Sequence, residues 1–500
     1  MGTQSATLPV LPTATTVRVV QSTPLPTAAR QFQPIPTTQT VVTTLQGQGC
    51  AREPIQQVQH LVDATVNYPR RTAQVSQTVH YFNTDSDPLN DIVFAVEPNR
   101  FPQVFALDDV TIDSAPAPAY ELTGRRLTIS LSDPLPPGCA VTLGLRFHLT
   151  LPGVGEGIIG HSGYFGFTAR QINLGHWLPT IAYRAAGAWI THDVTVIGEQ
   201  IVSEIADWDV TVHVPDAPLA LKIAAPGTMN RPAANAWRFV LTGARDFALS
   251  MSTHFEVRAV EAANGTTVEV FTLDNTRVQT DQGLLDAADH AADIAARSLA
   301  MYSDLFSPYP HERLVVVEGD FPDGMEFSGL IFVGAGWFEQ WPGTPQSYLT
   351  IITAHEVSHQ WWYASVGNDQ ALAPWLDEAL ATYSEYIFYE EYYPDLRDWW
   401  WQFRVYSFVP DTFVVTHPVD ADVYQFDNLR AYINAVYLRG ARMLRDLRDL
   451  LGTEAFFAWL TAYAQAGAGQ IVTPDDFWSL LSAEQRTQIA ATRAHYFDGG

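Results

Sequence analysis

Five hundred residues is too long for one small domain and points to roughly two to four. Apolar types make up 47% of the chain and aromatics 12%, enough to bury sizeable cores and to exclude a disordered protein. The charge is lopsided, 54 Asp plus Glu against 28 Lys plus Arg for a formal −26, which excludes a non-specific nucleic-acid binder that needs a basic surface.

Residues 1–46 hold twelve Thr, six Pro and no acidic residue. Such text cannot bury a core, and residues 1–50 read as an extended stalk or linker. No run of about 18 or more apolar residues occurs, so no transmembrane helix is expected, and no signal peptide is visible. A Thr/Pro-rich stalk ahead of a folded body suggests an extracytoplasmic protein, secreted or tethered at the cell surface, with an export signal or lipid anchor upstream. Two cysteines, Cys50 and Cys139, are too few for a disulfide framework. They either form one bridge, pinning the start of the folded body, or are two unrelated buried thiols.

From 51 to 260 the text is strand-like. "QHLVDATVNY", "QVSQTVHYFN", "DIVFAVE", "RLTISLS", "AVTLGLRFHLTL", "DWDVTVHVP" and "WRFVLTG" are short, rich in β-branched and aromatic residues and separated by turn formers. This predicts a large β-rich domain. The pattern then changes, and 261–500 reads as a mainly helical domain. "DQGLLDAADHAADIAARSLAMYSDLF" is an Ala-rich amphipathic helix, followed by strands at Leu314 to Glu318 and Leu330 to Val333. After 347 nearly everything is helical.

The strongest chemical signal is His355-Glu356-Val357-Ser358-His359. On a helix, residues i and i+4 share a face, so both imidazoles reach one metal ion, and Glu356 lies beside that face. Gly367-Asn368 reads as a helix stop and Pro374 as the start of the next helix, "PWLDEALATYSEYIFYEEYY". Glu378 sits in that helix's first turn, with eighteen residues between it and His359. Two His, one Glu and an open fourth position is a catalytic rather than a structural zinc arrangement. Glu385, Glu390 and Glu391 read as a solvated helix end, and Trp361-Trp362 and Trp399-Trp400-Trp401 as core packing.

HEVSH, eighteen residues and then Glu inside "WLDEALATY" resembles the aminopeptidase N family of gluzincin metallopeptidases. "DGMEFSG" (Asp323 to Gly329) resembles that family's Gly-Ala-Met-Glu-Asn exopeptidase motif, "THPVDADVYQFD" its His-Pro segment, and "VYLRGARML" its Tyr-x-Lys-Gly segment. The resemblance implies an α+β multidomain fold: a β-rich N-terminal domain, then a thermolysin-like, mainly α catalytic domain with a small mixed sheet. It implies one Zn²⁺ per chain at His355, His359 and Glu378. Glu356 would be the general base on the attacking water, and Tyr437 a hydrogen-bond donor to the oxyanion. Glu326 would hold the substrate's free α-amino group, and the backbone of Gly324 and Met325 would align the peptide as an added strand. The implied substrates are peptides with a free N-terminus, losing their first residue.

Two departures stand out. Phe327 replaces an Asn common in the family, and Leu438-Arg439-Gly440 replaces Glu-Lys-Gly. With 122 residues after Glu378, the sequence has room to finish the catalytic domain but not for a large helical C-terminal domain. A more open cleft leaves two other readings in play: a zinc endopeptidase, or a non-catalytic surface binding protein on the same fold.

Overall fold

The computed structural model describes Cys50 and residues 57–154, 163–280 and 283–497. The expected stalk lies, apart from Cys50, outside them. The α+β division read from the sequence is what the chain adopts: strands dominate to about 286 and helices follow. Among the described residues no helix is long and apolar enough to cross a membrane.

The largest sheet has eight strands. Its centre pairs Val58–Asn67 parallel with Ala206–His213 and antiparallel with Thr72–Phe82. Thr72–Phe82 pairs in turn with Ala140–Thr150. Burial alternates along Ala206–His213, as period two demands of a sheet with one covered face. Two four-stranded sheets complete this part.

A separate, mixed sheet of five strands belongs with the helices. Its order is Glu256–Glu261, Thr267–Thr272, Arg313–Gly319, Leu330–Gly334 and, at the edge, Gly324–Met325. Leu314, Val316, Ile331 and Val333 point to the helical core. Val315, Val317, Leu330 and Phe332 point to the core of the β-rich part. Alternation along two strands thus divides one sheet between two cores, and side chains on its edge are fixed from both sides.

Helices Ala287–Leu305 and Tyr348–Ser358 pack on the helical face, and Trp375–Tyr392 packs against Tyr348–Ser358. Asp286 caps the first by accepting from Ala288 N, and Ser347 caps the second by accepting from Thr350 N. The first helix starts later than its composition suggests, because Gly283–Asp286 pairs as a strand with Arg277–Thr280. Gly367-Asn368 is not a helix stop. The helix carrying His355 ends at Ser358, and Gly367–Asn368 pairs with Ile471–Val472 as a short parallel bridge. Trp361, Trp362, Trp400 and Trp401 are buried in the helical core, as expected. The segment from Leu429 to Leu451 is helical throughout but not uniformly α: Ile433–Arg439 is π-helical between Leu429–Tyr432 and Gly440–Leu451.

Cys50 and Cys139 form a disulfide with Cα atoms 5.3 Å apart, closing a loop of sequence separation 89. It ties the first described residue to the turn before Ala140–Thr150. Chain-entropy arguments give such a long loop about 4 kcal/mol of stabilisation. Denaturant unfolding with and without reductant should therefore show a loss of roughly 2–4 kcal/mol on reduction. Labelling the unfolded, unreduced chain should find no free thiol.

Candidate active site

His355 stands three residues from the end of Tyr348–Ser358, and His359 is that helix's C-cap. Their Nε2 atoms lie 3.1 Å apart. Glu378, in the first turn of Trp375–Tyr392, brings Oε2 to 3.3 Å from His355 Nε2 and 3.6 Å from His359 Nε2. All three side chains are buried. The sequence's pairing of these residues across two helices is what the fold brings together.

The outer ring nitrogens are held in place. His355 Nδ1 donates to Glu385 Oε1 at 2.8 Å. His359 Nδ1 lies 2.9 Å from the Trp362 carbonyl and 3.1 Å from Asp377 Oδ1. These partners set both tautomers so that neutral Nε2 lone pairs face Glu378. Hydrogen bonds to Glu378 and Glu385 outweigh burial and push His355 up to about 10, while His355 and His359 outweigh burial at Glu378 and hold it at about 2. A divalent metal meets the same demand with one doubly charged centre, and the donor set fits one.

Glu385 corrects the sequence reading. It is fully buried, not a solvated helix end. Arg404 grips it through Nε and Nη2, both at 2.9 Å, and Trp400 Nε1 donates to it at 3.2 Å. Seven residues after Glu378, it lies on the same helix face two turns on, a spacing that could have revealed it. Glu390 pairs with Arg448, and Glu391 stays exposed.

Glu356 is buried, and among the described residues its Oε2 has no hydrogen-bond partner. Burial raises its carboxyl to about 7. A Cβ at Gly324 would run into that carboxylate, so glycine there lets the edge strand approach the helix. Met325 beside it is buried in the β-side core, which anchors the strand. Tyr437 stacks parallel to His355, ring centroids 5.9 Å apart, and its hydroxyl hydrogen-bonds Glu378. Burial and the Glu378 charge hold the phenol well above its usual range, so it stays a donor. Gly440 lets this helix lie against the one carrying Glu378, because a Cβ there would run into Ala379.

Glu326 is buried, and its Oε1 accepts from Gln370 Nε2 at 3.4 Å. Burial first, then Glu199, Glu356 and Glu378, push its carboxyl well above the usual range. Oxygens of Glu199, Glu326 and Glu378 all lie within 4.8 Å of one another. Glu199 comes from the segment between the β-rich strands Ala188–Trp189 and Ala206–His213. No motif surrounds it, and sequence reasoning missed it. Glu199, Asp323, Gly324, Glu326, Glu356 and Tyr437 line one cleft with the metal-site residues. Like charges that converge under burial favour a cation.

Comparison with known proteins follows the same lines. Residues 290–496 match the family described as Peptidase family M1 domain. The chain is 30% identical over 227 residues to Aminopeptidase M1-A of Oryza sativa subsp. japonica, covering 43% of this chain and 26% of that protein. It is 29% identical over 210 residues to Endoplasmic reticulum aminopeptidase 1 of Homo sapiens, covering 40% of this chain and 22% of that one. The chain thus spans about a quarter of the length of these relatives. Solved structures match far more of it. The M1 zinc metallopeptidase from Deinococcus radiodurans aligns with TM-score 0.61 and 20% identity, covering 88% of this chain and 94% of that one. A mutant of that protein, bound to a Tyr-ser-ala substrate, aligns with TM-score 0.62 and 18% identity, covering 90% and 96%.

The outer-sphere geometry generates a test. Glu385→Gln keeps a hydrogen-bonding group but removes the charge that orients His355. Metal affinity, measured by chelator competition, should fall about 10–100-fold. Unchanged affinity would reduce Glu385 to a fold-stabilising partner of Arg404.

Proposed function

We propose that this chain, with its peptidase family M1 domain over residues 290–496, is a zinc-dependent aminopeptidase that removes N-terminal residues from peptides. The observation that carries the reading is the buried convergence of His355, His359 and Glu378 beside the unpartnered Oε2 of Glu356.

His355 and His359 through Nε2 and Glu378 through a carboxylate oxygen would hold one Zn²⁺, with room for a water. The ion, when bound, supplies Lewis acidity toward that water and the scissile carbonyl. Glu356, with a carboxyl near neutrality, takes the proton from the attacking water and passes it to the leaving amine. Tyr437 donates to the oxygen of the scissile carbonyl as negative charge gathers there. Glu326 receives the substrate's α-ammonium group. Its demand for a cation, shared with Glu199, favours an aminopeptidase over an endopeptidase. The backbone of Gly324–Met325, on the open edge of its sheet, accepts the peptide as an added strand.

The Cys50–Cys139 disulfide and the Thr/Pro-rich composition of 1–46 support an extracytoplasmic setting, secreted or surface-tethered.

Three variants test these roles together. Elemental analysis should find one zinc per chain, and Glu378→Ala should lose metal and activity in parallel. Glu356→Gln should keep its zinc and lose nearly all turnover, and Tyr437→Phe should lower kcat by roughly a hundredfold. Full zinc in Glu378→Ala, or normal kcat in Tyr437→Phe, would remove that residue from its role.

The aminopeptidase assignment has its own test. Glu326→Ala should lower kcat/KM for free-amine substrates by about 2–3 kcal/mol and scarcely alter the residual rate on N-acetylated ones. A wild type that cleaves both equally, with Glu326→Ala changing neither rate, would point to the endopeptidase instead.

A further inference from the structure

Two hydrogen-bond chains run outward from the histidine pair to cleft-lining groups of opposite charge. One chain starts at His359. Its Nδ1 meets Asp377, Asp377 accepts from Gln370 at 2.9 Å, and Gln370 donates to Glu326. That is the anionic group, with Glu199. The other chain starts at His355. Its Nδ1 meets Glu385, and Glu385 holds Arg404, which also lines the cleft.

Beyond Arg404 the lining becomes aromatic and apolar. Ile352 and Tyr348 lie one and two turns before His355 on its helix, and both line the cleft. Trp337 packs on Tyr348 with centroids 4.7 Å apart. Phe408 follows Arg404 by one turn. Over its ring, 4.6 Å from the centroid, sits the Arg430 guanidinium.

Arg430 differs from the other cleft-lining cation. Arg404 is buried and spent on Glu385, whereas Arg430 is exposed. Among the described residues no carboxylate forms an ion pair with it. Stacking on Phe408 orients the guanidinium and leaves its in-plane N–H groups to bind a planar anion bidentately. In a cleft lined by Glu199, Asp323, Glu326, Glu356 and Glu378, an exposed cation without a carboxylate partner among the described residues makes the site dipolar.

Resting on the aminopeptidase reading, we propose that Arg430 binds a substrate carboxylate on the leaving-group side, so that the cleft is matched to short zwitterionic peptides. With the ammonium at Glu326, the chain past the scissile bond runs toward Ile352, Tyr348 and Phe408. Arg430 precedes Tyr437 by seven residues, about 8–10 Å along the helix axis. A peptide advances about 3.4 Å per residue, which places the C-terminal carboxylate of a di- or tripeptide within the side chain's reach. An acidic side chain at the second or third residue offers the same group.

The test compares kcat/KM within each enzyme for paired substrates: di- and tripeptides with an aromatic second residue, each as free acid and as C-terminal amide. The wild type should favour the free acid by about tenfold, expressed in KM, as expected for one partly exposed charge-assisted contact. Arg430→Gln should bring the ratio to about one, and Arg430→Lys should retain part of it. Added salt should shrink it. A second arm uses amidated peptides with Glu or Gln at the second residue. Selection for Glu that vanishes in Arg430→Gln assigns the site to side-chain carboxylates, and selection for the free C-terminus assigns it to short peptides. A ratio near one in the wild type, or a ratio unchanged in Arg430→Gln, overturns the proposal. A leucyl arylamide, which has no carboxylate, separates the two readings: its cleavage alongside a ratio of one sinks the carboxylate site alone, and no cleavage of it sinks the aminopeptidase reading as well.

Discussion

The governing constraint is buried negative charge. Glu326, Glu356, Asp377, Glu378 and Glu385 are all buried within one cluster of interactions, and Arg404 is the buried cation that answers them. Two like charges 4 Å apart cost about 4 kcal/mol at an effective dielectric of 20, so the cluster as a whole is intolerable without further positive charge. The neighbouring carboxylates hold His355 and His359 above their usual range despite burial. A divalent ion answers the same demand and satisfies three ligands with one centre. The surplus of acid is the common origin of the metal affinity and, on the proposed reading, of a preference for a free amine.

The same constraint explains why carboxylates a few ångströms apart take different roles. Glu378 is hydrogen-bonded to His355 and Tyr437 and stays ionised, as a ligand must. Glu356 has no donor at Oε2 and rises toward neutrality, where a base that must also act as an acid works best. Glu326 has a single long bond from Gln370 and rises furthest, which leaves it seeking a positive partner. Hydrogen-bond supply, more than burial, sorts the three.

Much of this was legible in the sequence wherever local rules govern. The i, i+4 histidines and the spacing to Glu378 are short-range patterns with one geometric solution. The strands were legible because period-two alternation survives in a sheet with one covered face. What escaped depends on the third dimension. Glu385 looked like part of an acidic helix end, because nothing in "YSEYIFYEEYY" announces that Arg404 packs across it. Glu199 sits in a stretch with no periodicity, and only the docking of the β-rich part brings it to the cleft. The misplaced helix end at Gly367 has the same cause: Gly and Asn signal a break, and the fold used it for a bridge to Ile471–Val472 rather than a helix stop. The π-helical stretch before Gly440 gave no signal either, although it fixes where Tyr437 and Arg430 stand on one helix.

The β-rich part does more than cover a sheet. Arg245, one residue past Ala236–Ala244, is fully buried and donates to the carbonyls of Ser203, Tyr363, Ser365 and Gln470. Three of those carbonyls lie in the helical part, so one guanidinium satisfies backbone groups that the docking would otherwise strand without water. The next residue, Asp246, accepts from Ser328 N at 3.0 Å and from the Tyr363 hydroxyl. Gln360, just past the metal-site helix, brackets the same loop by donating to the Phe327 carbonyl and accepting from Gly329 N. The segment Phe327–Gly329 is thus clamped from the β-rich part on one side and from the metal-site helix on the other. Glu326 immediately precedes that clamp. Its distance from the metal site is therefore set by how the two parts dock, and Glu199 reaches the cleft by the same docking. The position of Glu326 and Glu199 in the cleft is a property of the whole folded body rather than of the helical domain alone.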